Sequence, residues 1–227
     1  MKKLLILAVI VLFGTITLYA QGELNQQQKI FFRNEKSFAI LLNTDGFGVS
    51  YQGAKRIDYR NKNLFEIDAG NLKLIKEYRQ TSVWTQGSYI FGKLNSTFFL
   101  RTGFGHQHEL FKKADMGGIA IRYFYSAGPV LALYKPIYYK VAQLITSSPT
   151  PEYEFVEEKY NASIASPLDI YSKASFAKGL NEIKVMPGLY AKGGFNFEYS
   201  KEDKVIHAIE FGGQLNAFPR KIPIMAG

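Results

Sequence analysis

Hydrophobic and polar residues alternate along most of the chain after Ser37. A period of two is typical of β-strands that have one apolar face. It is clearest in 188–199 and 204–217, which predict a long antiparallel hairpin with a tight polar turn at 200–203. The alternation predicts seven strands in all: 38–51, 63–72, 96–107, 117–125, 130–139, 188–199 and 204–217.

Glycine and proline residues interrupt this strand pattern at two places. Gly46 and Gly48 lie inside the first predicted strand and predict a β-bulge there. The run Ser-Ala-Gly-Pro at 126–129 predicts a turn between the fourth and fifth strands. We therefore expect one irregular strand near the start of the domain and a hairpin in its middle.

Helical signal occurs in one place, inside the long connection 143–183. There the sequence at 166–169 matches a capping box with proline at the first helical position. Residues 170–178 then predict a short helix that ends at Gly179.

Residues 1–20 have the three-part pattern of a secretory signal peptide, with a basic start, an apolar run and a small residue, Ala20, at the predicted cleavage site. A membrane anchor is the alternative, but the apolar run is short for a spanning helix and no stop-transfer charges flank it. We expect 21–36 to be a polar periplasmic lead-in and 37–227 to be the folded domain.

Composition narrows the class of protein. The 227 residues suffice for one sizeable domain, and an aromatic share of 15% excludes intrinsic disorder. The absence of cysteine excludes a disulfide scaffold, a thiolate zinc site and a cysteine nucleophile. The net charge of +9 is spread through connections such as 55–62 and 112–113. This distribution predicts contact with lipopolysaccharide phosphates and does not match a nucleic-acid-binding module.

The alternation fits two all-β architectures. In a soluble sandwich or lipocalin-like barrel the apolar face is the core, whereas in a transmembrane barrel it faces lipid and the polar face lines the lumen. Here the polar face mixes acids, bases and glycines, which suits a small barrel filled by an ionic network. The predicted lumen network consists of Glu66, Asp68, Arg101, Arg122, Lys192, Glu198 and Glu210.

Loop lengths and aromatic positions also favour the transmembrane barrel. With a periplasmic N-terminus, the turns 126–129 and 200–203 are short periplasmic connections and 140–187 is a long extracellular loop. The connection 73–95 is an exception, because it is long and assigned to the periplasm. Aromatic residues at strand ends are predicted to lie at the two membrane interfaces: Tyr123, Tyr125, Tyr138, Tyr139, Phe197, Tyr199 and Phe218.

The strand count raises one difficulty, because bacterial single-chain barrels have an even number of strands. Residues 218–227 have the sequence of a loop rather than of a closing strand. We expect a barrel of about eight strands whose last strand is missing from this sequence. Two alternatives remain open: the segment 27–33, which contains Ile-Phe-Phe, supplies the eighth strand, or the count is wrong.

The signal peptide, the segment 38–51 with its Asp-Gly-Phe-Gly centre, the segment 121–129 and the glycine-rich hairpin 188–217 together carry a resemblance. The chain resembles small outer-membrane β-barrel proteins of Bacteroidota, of the PorT-like and outer-membrane-β-barrel-domain kind. The resemblance implies an outer-membrane location and an accessory role in an envelope assembly or secretion machine.

Candidate chemistry is sparse. His106 and His108 share a strand face near Glu109, but two histidines are too few for a zinc site, so we expect exposed loop histidines. Ser200 and His207 are the nearest match to a lipid A hydrolase pair, yet no nucleophile elbow or neighbouring acid accompanies them. We therefore predict no catalytic residue, no metal and no cofactor.

The combined expectation is a non-enzymatic outer-membrane β-barrel with a plugged lumen and one long extracellular loop that carries a short helix. Its expected role is that of a structural or accessory subunit of an envelope complex, with 143–183 as the partner surface. Outer-membrane lipid, lipopolysaccharide and other outer-membrane proteins are the expected partners, and nucleic acid is not. The alternatives are a lipid A-modifying barrel enzyme, a small porin or an adhesin.

Overall fold

The computed structural model describes residues 34–85, 87–114, 117–145, 152–161, 164, 166–200 and 205–226. The predicted signal peptide, most of the lead-in, the 27–33 alternative and the turn at 201–203 lie outside these residues. The described strands are β1 Glu35–Asn43, β2 Gly46–Arg56, β3 Asn61–Leu72, β4 Arg79–Thr81, β5 Ser88–Ile90, β6 Asn95–Phe111, β7 Ala120–Pro136, β8 Tyr138–Ile145, β9 Glu152–Lys159, β10 Ile170–Lys173, β11 Lys184–Glu198 and β12 Ala208–Ala217.

One large antiparallel sheet dominates the fold, so the predicted all-β class is confirmed. Its seven strands follow the order β1-β2-β3-β6-β7-β11-β12, and the sheet is curled into a half-barrel. Within the described residues, β1 and β12 each pair on one side only. No helix in the same residues is long and apolar enough to cross a membrane.

The first predicted strand, 38–51, is in fact a tight hairpin. β1 and β2 pair antiparallel from the Asn43↔Gly46 partners outward, so Thr44 and Asp45 form the turn. Gly46 has a φ of 149°, and a Cβ there would lie 2.1 Å from the Asn71 carbonyl oxygen. The glycine therefore marks a turn rather than the predicted β-bulge.

The predicted turn at 126–129 is also wrong, because these residues lie inside the continuous strand β7. Gly128 pairs with Tyr190 and Pro129 pairs with Leu189, both on β11. Ser126 is buried on the concave face, where its hydroxyl donates to Glu66. Residues 138–145, which had been part of the fifth predicted strand and the loop after it, form β8 of a separate sheet.

These two corrections change which connections lie at the same end of the sheet. The short-loop end carries the connections 57–60, 112–119 and 199–207. The long-loop end carries 44–45, 73–94, 137–183 and the residues after β12. Because β1 and β2 occupy the place of one predicted strand, the chain runs across the sheet once more before it reaches 73–94. This connection therefore lies at the same end as the other long connection, 137–183. The predicted exception at 73–95 thereby disappears.

The long connections fold into a cap at the long-loop end, formed by the β4–β5 hairpin and the sheet β10-β8-β9. The cap has a hydrophobic cluster of its own. Its buried members are Tyr89, Ile137, Tyr139, Val141, Ile164 and Ile170.

The predicted helix in this region is wrong. The capping box forms, because the Ser166 side chain accepts from the Leu168 N–H and Asp169 accepts from the Ser166 N–H. It caps only the single-turn 3-10 helix Pro167–Asp169. From Ile170 onward the chain pairs with β8 as strand β10, so its backbone bonds run to another strand rather than along a helix.

The residues after β12 cross the long-loop end of the sheet. Phe218 packs against the buried cluster Leu72, Phe99, Val130 and Tyr190, so it is not an interfacial aromatic residue. Further along, the Ile224 carbonyl accepts hydrogen bonds from the N–H groups that open β6. This segment covers the mouth of the half-barrel.

Candidate functional site

The two faces of the large sheet differ in polarity, and their arrangement is the reverse of that in a soluble protein. On the concave face Glu66, Asp68 and Arg101 are 0% exposed. On the convex face Phe38 and Leu215 are 85% and 78% exposed. A soluble antiparallel sheet places its apolar face on a core and its polar face in water. The convex face is thus an apolar surface that the described residues leave uncovered.

Four charged side chains meet at the centre of the concave face, and we call them the central cluster: Glu66, Asp68, Arg101 and Lys192. The Lys192 Nζ lies 2.7 Å from the Glu66 carboxylate and 3.7 Å from that of Asp68. Arg101 lies 4.0 Å from Asp68. Two acids and two bases cancel, so burial of the central cluster leaves no net charge.

Glu66 is the best-connected member of the central cluster. Besides its ion pair with Lys192, it accepts hydrogen bonds from the Ser126 hydroxyl at 2.5 Å and the Tyr190 hydroxyl at 2.7 Å. Gly103 makes room for the Tyr190 ring, since a Cβ at that position would lie 2.0 Å from the hydroxyl oxygen. A buried carboxylate is tolerated here because three donors compensate its lost hydration.

The contacts of the central cluster cross the interior of the half-barrel. Glu66 lies on β3 and Lys192 on β11, with β6 and β7 between them in the sheet. Arg101 of β6 likewise hydrogen-bonds to Gln214 of β12, three strands away, and stacks 3.8 Å over the Phe99 ring. Such contacts require a tightly curled sheet whose interior is filled by side chains, as in barrels of about eight strands.

A second group of charges lies on the concave face at the short-loop end. Arg122 pairs with Glu198 and, at 3.6 Å, with Glu109, while Lys113 lies 2.7 Å from Glu198. The sequence-based network contained Arg122 and Glu198 but missed Glu109 and Lys113. The predicted strand 96–107 stopped too early, although the alternation continues to the true end of β6 and would have placed Glu109 inward.

Two more charged groups of the sheet need to be compared with the predicted network, the Lys62–Glu35 pair and Glu210. Lys62 and Glu35, which it did not include, form an ion pair at 2.5 Å in which Lys62 is buried and Glu35 is partly exposed. Glu210 accepts a hydrogen bond from Asn196 at 2.9 Å and is exposed on the edge strand β12. It belongs to neither group of ion pairs.

The predicted interfacial aromatic residues divide by location. Tyr123 and Tyr125 lie on the convex face within β7, whereas Phe197 and Tyr199 lie at the short-loop end of β11. Tyr139 is 1% exposed inside the cap, so it cannot reach an interface. Burial raises the pKa of the Tyr139 phenol, which stays neutral and donates to backbone carbonyls. Tyr138 is also in the cap, where it donates to Glu182.

The two candidate histidines are strand residues rather than loop residues. His106 and His108 lie on the convex face of β6 and both hydrogen-bond to Asn61 Oδ1, at 3.1 and 2.7 Å. Their rings lie beside Tyr125 and Tyr123. No group of three or more potential metal ligands occurs in the part of the chain that the structure describes. The two histidines, Asn61, Tyr123 and Tyr125 therefore form a polar and aromatic border of the apolar surface on the side of the short-loop end.

Ser200 and His207 do not form the pair that a hydrolase would use. The buried Ser200 hydroxyl lies 3.1 Å from both Glu198 and Lys113. His207 is exposed and stacks on Tyr199, with ring centroids 6.2 Å apart. Each side chain thus has other partners.

The cap carries part of the predicted partner surface, 143–183, of which 146–151, 162, 163 and 165 lie outside the described residues. Trp84 is 41% exposed and packs edge-on against Tyr153, 5.2 Å away between ring centroids. Lys178 donates to Glu157 at 2.7 Å, and this hydrogen bond lowers the pKa of the Glu157 carboxyl. Exposed pairs of this kind contribute little stability.

Comparison with known proteins gives no match to a family model, a curated protein or a solved structure. The resemblance to PorT-like barrels therefore stays a prediction.

Proposed function

We propose that this protein is an outer-membrane β-barrel protein whose lumen is filled by its own side chains and which serves an envelope complex as a structural or accessory subunit. The observation that carries the proposal is the inverted sheet, with charges buried on the concave face and large apolar side chains exposed on the convex face. In a bilayer this arrangement is favourable, because lipid covers the convex face.

Strand length supports the same environment. A transmembrane β-strand has about 9–11 residues. Every strand of the large sheet meets this requirement, from the 9 residues of β1 to the 17 residues of β6 and β7. On β6 the outward residues Phe98, Leu100 and Phe104 are apolar, with Thr102 between them, and His106 and His108 follow toward the short-loop end before the apolar Leu110. These residues form an apolar band that is bordered by the two histidines on the side of the short-loop end.

The loop arrangement supports an orientation. Barrels of the outer membrane have short periplasmic turns and long extracellular loops. The short-loop end would then face the periplasm, and the cap would face outside. The exposed basic residues Lys55, Arg60 and Lys112 lie at the short-loop end, so they would meet phospholipid headgroups rather than lipopolysaccharide, contrary to the expectation from sequence. Lys62 and Lys113 from the same basic stretches are instead paired with Glu35 and Glu198. The exposed aromatic residues of the cap, Trp84 and Tyr153, are of the type enriched at protein interfaces.

A filled lumen predicts a protein that inserts in membranes without conducting. We expect the purified full chain to migrate differently on gels before and after boiling, and to give little conductance in planar bilayers. The cross-lumen contacts of Glu66, Arg101 and Tyr190 provide the reason, since these buried side chains occupy the centre of the concave face. A general porin measured in the same bilayers is the control.

Two results would contradict this proposal in different ways. Identical migration with and without boiling counts against a membrane barrel. Large, steady channels from a heat-modifiable protein would retain the barrel but favour a porin over a plugged scaffold. A pull-down in mild detergent then tests the role as a subunit, where a stoichiometric partner that is lost on mutation of Trp84 and Tyr153 supports the cap as its binding surface.

A further inference from the structure

The small sheet of the cap has one open edge. Its strand order is β10-β8-β9, so β9 pairs with β8 on one side only. All eight residues of β9, Glu152–Lys159, pair with β8 in one unbroken register, and none of them is buried. Among the described residues no strand lies on the other side of β9. Its outward N–H and C=O groups therefore have no strand partner there.

The opposite edge of the same sheet is protected. The Ser82 hydroxyl, directly after β4, donates to the Tyr171 carbonyl oxygen on β10 at 2.7 Å. The hairpin of β4 and β5 therefore lies against β10. A regular and uncovered edge strand such as β9 is where an extended segment of another chain can add to a sheet.

Acidic side chains determine which strand can add to β9. Four of its eight residues are glutamates. Glu157 has an ion-pair partner in Lys178, at 2.7 Å, whereas Glu152 and Glu154 are exposed and have no ion pair within the described part of the chain. Like charges on neighbouring strands are destabilising. The edge therefore disfavours β9 of a second copy and favours a strand that carries lysine or arginine.

The alternate positions of β9 add an aromatic surface. Tyr153 and Phe155 are exposed on the face opposite to Glu152 and Glu154. The Phe155 ring lies 4.2 Å from that of Tyr171, between centroids, and Trp84 packs edge-on against Tyr153. A strand beside β9 would extend this group, and aromatic pairs between neighbouring strands are stabilising. The edge thus matches a segment in which basic and aromatic residues alternate.

We propose that the open edge of β9 binds an extended basic segment of another envelope protein, which adds to the cap sheet as its fourth strand. The inference rests on the proposed function, because it names the class of partner that the cap would bind. Backbone hydrogen bonds supply the affinity. Basic residues beside Glu152 and Glu154, and aromatic residues beside Tyr153 and Phe155, supply the specificity.

The single tryptophan of the chain permits a direct test, because Trp84 contacts Tyr153 of β9. The probe is a synthetic peptide of eight residues, the length of β9, in which lysine and tyrosine alternate. We would titrate it into the full chain in detergent micelles and expect a saturable shift of the Trp84 emission. A peptide with glutamate in place of lysine should give no shift. A lysine peptide with N-methyl groups on alternate amides should also give none, because it cannot donate to β9.

Charge reversal locates the binding site. In Glu152→Lys combined with Glu154→Lys, the affinity for the lysine peptide should fall about tenfold, and the glutamate peptide should now bind. A general loss of structure would not exchange the two preferences. The control is Ile75→Lys combined with Tyr78→Lys, which adds positive charge at exposed positions before β4. It should change the affinity by less than about twofold, because charges without direct contact are screened by salt.

Three results would overturn the inference. Equal binding of the N-methylated peptide would mean attraction between charges without strand addition. Unchanged affinity after charge reversal at Glu152 and Glu154 would place the peptide elsewhere. No shift of Trp84 emission with the lysine peptide, in protein that is heat-modifiable, would exclude this edge as a binding site while the barrel proposal stands. A chain that bound the peptide but was not heat-modifiable would instead retain the edge and contradict the barrel.

Discussion

Replacing Glu66 with alanine is expected to lower the free energy of unfolding by about 3–5 kcal/mol, the usual cost of removing one partner from a buried ion pair. The carboxylate is 0% exposed and has Lys192, Ser126 and Tyr190 as donors. Its loss leaves the Lys192 ammonium next to Asp68 alone, with Arg101 as a competing cation. Urea unfolding of the protein in lipid vesicles, followed by circular dichroism, measures the change.

Two variants make this result specific to the ion pair. Glu66→Gln combined with Lys192→Met removes both charges yet keeps an acceptor for Ser126 and Tyr190, so we expect it to recover much of the loss. Glu154→Gln changes an exposed acid of β9 and should shift stability by no more than about 0.5 kcal/mol. If Glu66→Ala behaved like Glu154→Gln, the interior would be hydrated and the packed lumen would be wrong.

The face on which each charged residue lies could be predicted from sequence, because a strand has a period of two and parity alone assigns its faces. Glu66, Asp68, Arg101 and Lys192 therefore belong to one predicted surface. Which of them touch could not be predicted in the same way. Contact between β3 and β11 depends on how tightly the sheet curls, and alternation within single strands contains no information about that.

The predicted strand boundaries were wrong where the local sequence pattern disagreed with the pairing between strands. Thr44 and Asp45 form a two-residue turn that adds only a small break to an apolar run, so 38–51 resembled one strand. The residues 126–129 are common in turns, yet each is paired with a residue of β11. The large sheet has seven strands, the number predicted for the whole chain, because one hairpin was missed and one was added. The total was wrong, since the described residues form twelve strands and the five in the cap fall outside that count.

The short helix predicted in the cap was wrong for the same reason, because strand pairing outweighed the local sequence pattern. The capping box at 166–169 was a correct local signal, since both of its hydrogen bonds form. Continuation of the helix was wrong because Ile170 pairs with Val141 and is fully buried in the cap cluster. Long-range burial of one apolar side chain thus outweighed a weak local helix propensity.

Replacing Leu100 with arginine is expected to lower the free energy of unfolding in lipid by about 2–4 kcal/mol, the cost of a cation on the lipid face near the bilayer midplane. Leu100 lies on the convex face of β6, between Ala69 and Leu131 on the neighbouring strands. It is also near the middle of the outward apolar stretch. On the surface of a soluble protein the same change would usually stay within about 0.5 kcal/mol.

A series along one strand distinguishes the two environments. His108→Arg lies on the same face of β6 but in the polar border, where about 0–1 kcal/mol is expected. Leu168→Arg is the matched change of residue type at an exposed position of the cap, and it should be nearly neutral. Urea unfolding in vesicles gives all three values. A cost that falls from Leu100 to His108 indicates a bilayer, because only a bilayer makes a cation more unfavourable with depth. Equal, small effects at all three positions would mean that the convex face is exposed to water rather than to lipid.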